Sequence, residues 1–324
     1  MPEGAHQCVC GADLDVPHLA RETTLLLSIG ILVLLFVVTG FTARFYHQEQ
    51  RSLARQWYSA GQAALDKGDT ETAINHFRTA LVYLPEDDNY ELHLAEALFA
   101  GGHDNEARTY LLTLADRKPG DATVNLVLAR LYAQQSDVVA ASRYYTSAIY
   151  GVWEDNPQEE RRAARIEFSQ YLMKNGQKGE AQAELIAMAS ALPPDAAEHL
   201  RAADLLLAAG TDTRALAEYK TAIQLNGKLS AAWLGAGVAA FHLGDYAQAA
   251  RNLERAARGG PLDAESGRLL ATARDVTVLD PYAVELRPLE RSRRVSRAFD
   301  LAMARFQNCA QAKGTTLAAD DPPT

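Results

Sequence analysis

The chain has 324 residues, 48% of them hydrophobic, with 41 acidic side chains against 32 Lys and Arg and a formal charge of -9. That balance excludes a general nucleic-acid binder, which presents a positive surface. Three cysteines, Cys8, Cys10 and Cys309, are too few and too unevenly spaced for a disulfide framework, so stability has to come from packing.

Residues 1–22 read as an N-terminal tail. Cys8 and Cys10 lie near His6 and His18, but the second cysteine pair that a zinc site of this spacing uses is missing, and no metal is expected. From Thr23 to Ala43 no charged residue occurs, and at 1.5 Å per residue the run reaches about 31 Å, the thickness of a hydrocarbon core. It reads as one transmembrane helix, the only open segment that satisfies its own backbone in lipid. Phe41, Phe45 and Tyr46 fall where an interfacial aromatic belt belongs. A cleaved signal peptide competes with this reading, because Val38-Thr39-Gly40 offers small residues at a cleavage point. The run is long for one, however, and Asp13, Asp15 and Glu22 precede it. Arg21 stands before the run and Arg44, Arg51 and Arg55 after it, a bias that places the following residues in the cytoplasm of a single-pass, bacterial inner-membrane protein. Residues 44–53 read as a juxtamembrane linker helix.

Beyond the linker, small, aromatic and turn residues recur every 34 residues. The first copy has Trp57, Gly61, Gly68, Asp69, Ala73, Phe77, Ala80 and Pro85; the last has Trp233, Gly237, Gly244, Asp245, Ala249, Leu253, Ala256 and Pro261. Repeats are placed at 54–87, 88–121, 122–155, 162–195, 196–229 and 230–263, with six extra residues from Asn156 to Arg161 interrupting the register. Small residues at Gly61, Ala95, Ala129, Ala203 and Gly237 let the first helix of each hairpin, helix A, approach the second, helix B. Phe77, Leu111, Tyr145, Leu185, Tyr219 and Leu253 fill the gap to the next repeat. Gly68, Gly102, Gly176, Gly210 and Gly244 mark the A-to-B turns, Asp69 and Asp245 cap helix B, and prolines 85, 119, 193 and 261 close it.

With W, L-G, Y, A, F and P at these offsets, the chain resembles the tetratricopeptide repeat family over about two thirds of its length. The resemblance implies an all-α, right-handed α-solenoid of about six helical hairpins. Residues 264–312 then supply capping helices, the second of which puts Val295, Phe299, Ala302 and Phe306 on one face as a lid, and 313–324 form a disordered tail.

No nucleophile elbow, zinc-protease helix or phosphate-binding loop is present, and the histidines are scattered over different repeats, so no catalytic residue, cofactor or small-molecule substrate is expected. Function in such a solenoid belongs to the concave face lined by the A helices. Those positions are Tyr58, Gln62 and Leu65; Leu92, Glu96 and Phe99; Leu126 and Arg130; Ile166, Gln170 and Met173; Leu200, Asp204 and Leu207; and Leu234, Phe241 and His242. Some members of the family bind a terminal carboxylate through Lys and Asn at set groove positions, but here the fifth position reads Tyr58, Leu92 and Leu126. A mostly apolar groove suits a helical or extended apolar segment of a protein partner instead, one associated with the membrane. The expected function is a membrane-anchored scaffold or adaptor. The alternative is a periplasmic or secreted chaperone-like component of envelope biogenesis, of the cytochrome c maturation or outer-membrane assembly type.

Overall fold

The computed structural model describes residues 18–283 and 285–314, with side chains from Leu25 onward. The tail segment carrying Cys8 and Cys10, and residues 315–324, lie outside the described residues. Among the described residues there are fourteen α-helices and no strand.

The chain divides into two compact units, which join in sequence between Val152 and Trp153. The first contains α1 (His18–Asp66), α2 (Thr70–Tyr83), α3 (Asp88–Ala100), α4 (Asp104–Arg117), α5 (Ala122–Gln134) and α6 (Val138–Tyr150). The second contains α7 (Pro157–Lys174), α8 (Lys178–Ala189), α9 (Ala196–Ala208), α10 (Asp212–Leu225), α11 (Ser230–His242), α12 (Tyr246–Ala257), α13 (Ala264–Leu279) and α14 (Pro288–Ala312). Within each unit every helix packs on the next one in sequence, so consecutive hairpins stack as in an α-solenoid. The boundary falls where the 34-residue register breaks. The interrupting residues are helical from Pro157 on, after Asn156 turns in the left-handed region, and they lengthen α7 to 18 residues.

Hairpins close through small-against-large contacts. A Cβ on Gly61 would lie 2.6 Å from the Phe77 ring, and one on Gly237 would lie 2.6 Å from Leu253 Cγ. Phe77 and Leu253 are accordingly fully buried. All five A-to-B glycines adopt positive φ, and in the third repeat Ser136 takes their place at φ 61°. Asp69 caps α2 through the Thr72 amide at 3.2 Å, and Asp245 caps α12 through Gln248 at 2.9 Å. The third repeat has no closing proline. There α6 stops at Gly151, and Val152 instead bonds across to the loop before α5, its N–H donating to Gly120 O at 2.8 Å.

Two expectations change. Span, linker and first A helix are one unbroken helix, α1, 49 residues long and about 73 Å at 1.5 Å per residue. Its apolar part is long and apolar enough to cross a membrane, with every side chain exposed. The lid is the second change. α14 has no buried residue, and Val295, Phe299 and Phe306 stay exposed because α14 turns a different side, with Arg294, Ala298 and Leu301 half-buried, toward its neighbour.

Candidate partner-binding surfaces

In the first unit the A helices carry Tyr58, Gln62 and Leu65 on α1; Asn89, Leu92, His93, Glu96 and Phe99 on α3; and Leu126 and Arg130 on α5. A polar network crosses from α1 to α3. The Tyr58 hydroxyl accepts from Gln62 Nε2 at 2.9 Å and from Asn89 Nδ2 at 3.2 Å, and lies 3.2 Å from His93 Nε2. His93 Nδ1 is 2.8 Å from the Asn89 carbonyl, which can only accept, so Nδ1 donates to it. Stacking on Tyr90, with ring centroids 4.6 Å apart, fixes the Tyr58 ring, and burial pushes its hydroxyl pKa up. One turn along α3, burial raises the Glu96 carboxyl, against the opposing charges of His93 and Arg130.

Of the expected groove residues here, Tyr58, Leu92, Glu96 and Phe99 are half-buried and Gln62 and Arg130 are exposed. Leu126 is a correction: it is buried in the hairpin stack and offers nothing to a ligand. Tyr58, Leu65, Leu92 and Phe99 also pack against the core, so they form the apolar floor beneath the exposed amide and guanidinium groups. Asn89 and His93 were not singled out as groove residues by sequence. Their signal is positional, because positions two and six of one repeat meet position five of the repeat before it.

The second unit spends its polar groups differently. Arg165 Nη1 pairs with Glu184 at 2.6 Å, His199 Nδ1 with Glu218 at 2.6 Å, and the Tyr219 hydroxyl donates to Asp204 at 2.6 Å, each from helix A to its own helix B. Asp204 is therefore held in hairpin packing rather than presented alone. His242 on α11 instead pairs across to the preceding repeat, with Asp212 on α10 at 3.0 Å. Tyr219 has a second contact, since a Cβ on Gly235 would lie 2.1 Å from its ring, and only glycine in α11 admits it. Burial and the Asp204 carboxylate push its hydroxyl pKa far up. Ile166, Met173, Leu200, Leu207 and Phe241 are half-buried against the core, Leu234 is half-buried, and Gln170 is exposed.

Among the described residues no group of three or more His, Cys, Asp or Glu could hold a metal ion. What the A-helix faces can do is bury apolar side chains of another chain and hydrogen-bond its backbone.

Stacked helical hairpins with small-against-large nesting, capped turns and a lined A-helix face define the class of helical-repeat α-solenoids. Tetratricopeptide repeat family patterns match residues 64–131 and 200–264, one in each unit. Both units therefore carry tetratricopeptide repeats.

Solved structures similar to it include PilW, described as a widely conserved type IV pilus biogenesis factor, at 18% identity and TM-score 0.43, covering 67% of this chain and 98% of that one. YrrB, a TPR protein with an unusual peptide-binding site, matches at 16% identity and TM-score 0.43, covering 61% and 97%. The TPR2AB domain of yeast Sti1, solved in a pHSP90 complex, matches at 18% identity and TM-score 0.30, covering 69% and 99%. At identities and superposition scores this low, none of these likenesses bears on function. No curated protein matches the chain.

Proposed function

We propose that the chain is a non-enzymatic, membrane-anchored scaffold that holds a helical or extended apolar segment of a membrane-associated partner protein on its A-helix faces. The observation that carries this reading is the surface of the first unit. Tyr58, Asn89, His93 and Glu96 come together from α1 and α3, with Gln62 and Arg130 exposed above the apolar floor of Leu92 and Phe99. Gln62 and Asn89 keep their carbonyl oxygens free of the Tyr58 bond and can accept from a peptide N–H, while the floor takes apolar side chains.

The apolar run of α1 supports an anchor. An anchor would raise the effective concentration of the solenoid toward partners in the same membrane. Arg44, Arg51 and Arg55 support a cytoplasmic solenoid. A fluorescent C-terminal fusion should therefore shine and an alkaline-phosphatase fusion stay inactive; the opposite result reverses the sidedness.

The test of binding is crosslinking in membranes followed by pull-down of the full chain. Gln62→Ala with Phe99→Gln should abolish capture of the partner with helicity unchanged, whereas the outer-face changes Val82→Gln and Val139→Gln should leave it intact. Capture lost only with the outer-face changes would defeat the reading.

A further inference from the structure

α14 is an amphipathic helix whose apolar side has no cover. At about 100° per residue, Val295, Phe299, Met303 and Phe306 fall within an arc of about 80°, and Phe299 is 64% and Phe306 55% exposed. The side that meets α13 is a different one: Leu301 lines a shallow cavity with Val278 and Leu279, and Arg305 pairs with Asp275 at 2.8 Å. Phe-lined and unpartnered, the stripe is a surface made to leave water.

Charge says what covers it. Residues 287–313 hold seven basic side chains against two acidic ones, a net +5 in a chain of -9. Arg293 and Arg294 lie near Glu290, Arg305 is paired and Arg297 lines the cavity against α13, which leaves Arg287 and Arg291 exposed with no ion pair among the described residues. A second copy on the stripe would bring two such cationic helices together, which like-charge repulsion opposes. An anionic bilayer surface accepts both halves at once, acyl chains for the aromatic stripe and headgroups for the arginines.

We propose that α14 lies in the interface of an anionic membrane, with Val295, Phe299, Met303 and Phe306 seated at the acyl boundary and Arg287 and Arg291 among the headgroups. The proposal rests on the anchor reading for the nearness of a bilayer. It adds a second, reversible attachment in the second unit, sensitive to lipid charge where the span is not.

The test uses the full chain with Cys8→Ser and Cys10→Ser and a polarity-sensitive dye on Cys309, which is exposed near Phe306. The labelled protein is reconstituted into vesicles of phosphatidylcholine alone or mixed with phosphatidylglycerol. On anionic vesicles the dye should shift to the blue and be quenched by nitroxides on the acyl chains. The insertion constant should fall on the order of 30-fold on neutral vesicles, at about one kcal/mol for each of two free arginines. Arg287→Gln with Arg291→Gln, both exposed, should lower it on anionic vesicles on the order of 30-fold. Aqueous emission on both vesicle types, or dye self-quenching on neutral vesicles from pairing of two copies, would overturn the proposal. A dye at Val33→Cys reports the anchor separately. Val33 deep in lipid beside an aqueous Cys309 defeats this inference alone, whereas aqueous emission at both positions defeats the anchor reading as well.

Discussion

The two units are built from the same repeat, and both tie helix A to its own helix B, as Arg117 does with Glu91 in the first, yet the first also shows side-chain hydrogen bonds between neighbouring A helices. In the first, Tyr58 on α1 reaches forward to Asn89 and His93 on the next A helix. In the second, Arg165, His199 and Asp204 reach to Glu184, Glu218 and Tyr219 on their own B helices. Bonds between A helices lie on the face open to a ligand; bonds from A to B lie inside the hairpin, where they fix its geometry. The difference teaches that repeat position alone does not make a binding residue. What counts is whether its neighbours leave it any capacity.

The largest effect that would sharpen this comparison comes from the cores. Phe77→Ala removes the side chain that fills the space above Gly61 and should cost the first unit ~3–5 kcal/mol, while the melting of the second unit stays unchanged, since stability in a stacked repeat is a sum of neighbouring interfaces. Denaturant melts followed by hydrogen exchange in each unit check this. A loss shared equally by both units would break the comparison by making them one cooperative block.

Next in size, Tyr219→Phe removes a bond to a carboxylate and should destabilise the second unit by ~1.5–3 kcal/mol without touching partner capture. Tyr58→Phe should do the reverse. Its network is half-exposed to water, so stability should fall by under ~1 kcal/mol while capture weakens. If the two substitutions act alike in melts and pull-downs, the distinction between the units fails.

Smaller still is the effect of Glu96. Its folded pKa is raised by burial, so the penalty on its charged form is absent below the unfolded value and full above the folded one. Glu96→Gln should therefore raise the melting temperature of the first unit at neutral pH, with the gain vanishing as pH falls toward 4.5. The caps have the opposite sign. The Asp69 and Asp263 carboxyls are held below 3.8, Asp69 by Thr72 and Asp263 mainly by the Ser266 amide. Their stabilisation is present above that value and lost as pH falls through the lower folded one. Asp69→Asn should blunt this acid sensitivity of the first unit, read by melts across that range.

Much of the fold was legible because its causes are local and periodic. Glycine at 68, 102, 176, 210 and 244 marks a left-handed turn wherever it stands, and Gly61 against Phe77 declares a close approach by size alone. Ser136 was harder, because nothing in a serine announces positive φ; only the register identifies it. The continuity of α1 was hidden because no residue between Ala43 and Ala54 breaks a helix, so span, linker and first repeat differ in hydropathy without differing in backbone. The α14 lid was misread for a related reason. An amphipathic pattern says that one face seeks apolar company, not that the neighbouring helix supplies it. At the candidate site, Leu126 and Phe99 look equivalent by position, yet Leu126 is covered by its neighbours and Phe99 is only half-covered, and such burial is a tertiary fact. The Tyr58 network escaped because its members lie 31 and 35 residues apart.

The central claim is that another chain is held on the A-helix faces, and site-specific photocrosslinking in native membranes tests it most directly. A photoreactive residue at Gln62 or Arg130 should give a discrete adduct with a partner protein, and one at Val82 or Val139 on the B helices should give none. Adducts confined to Val82 and Val139, with Gln62 and Arg130 silent, would contradict the account.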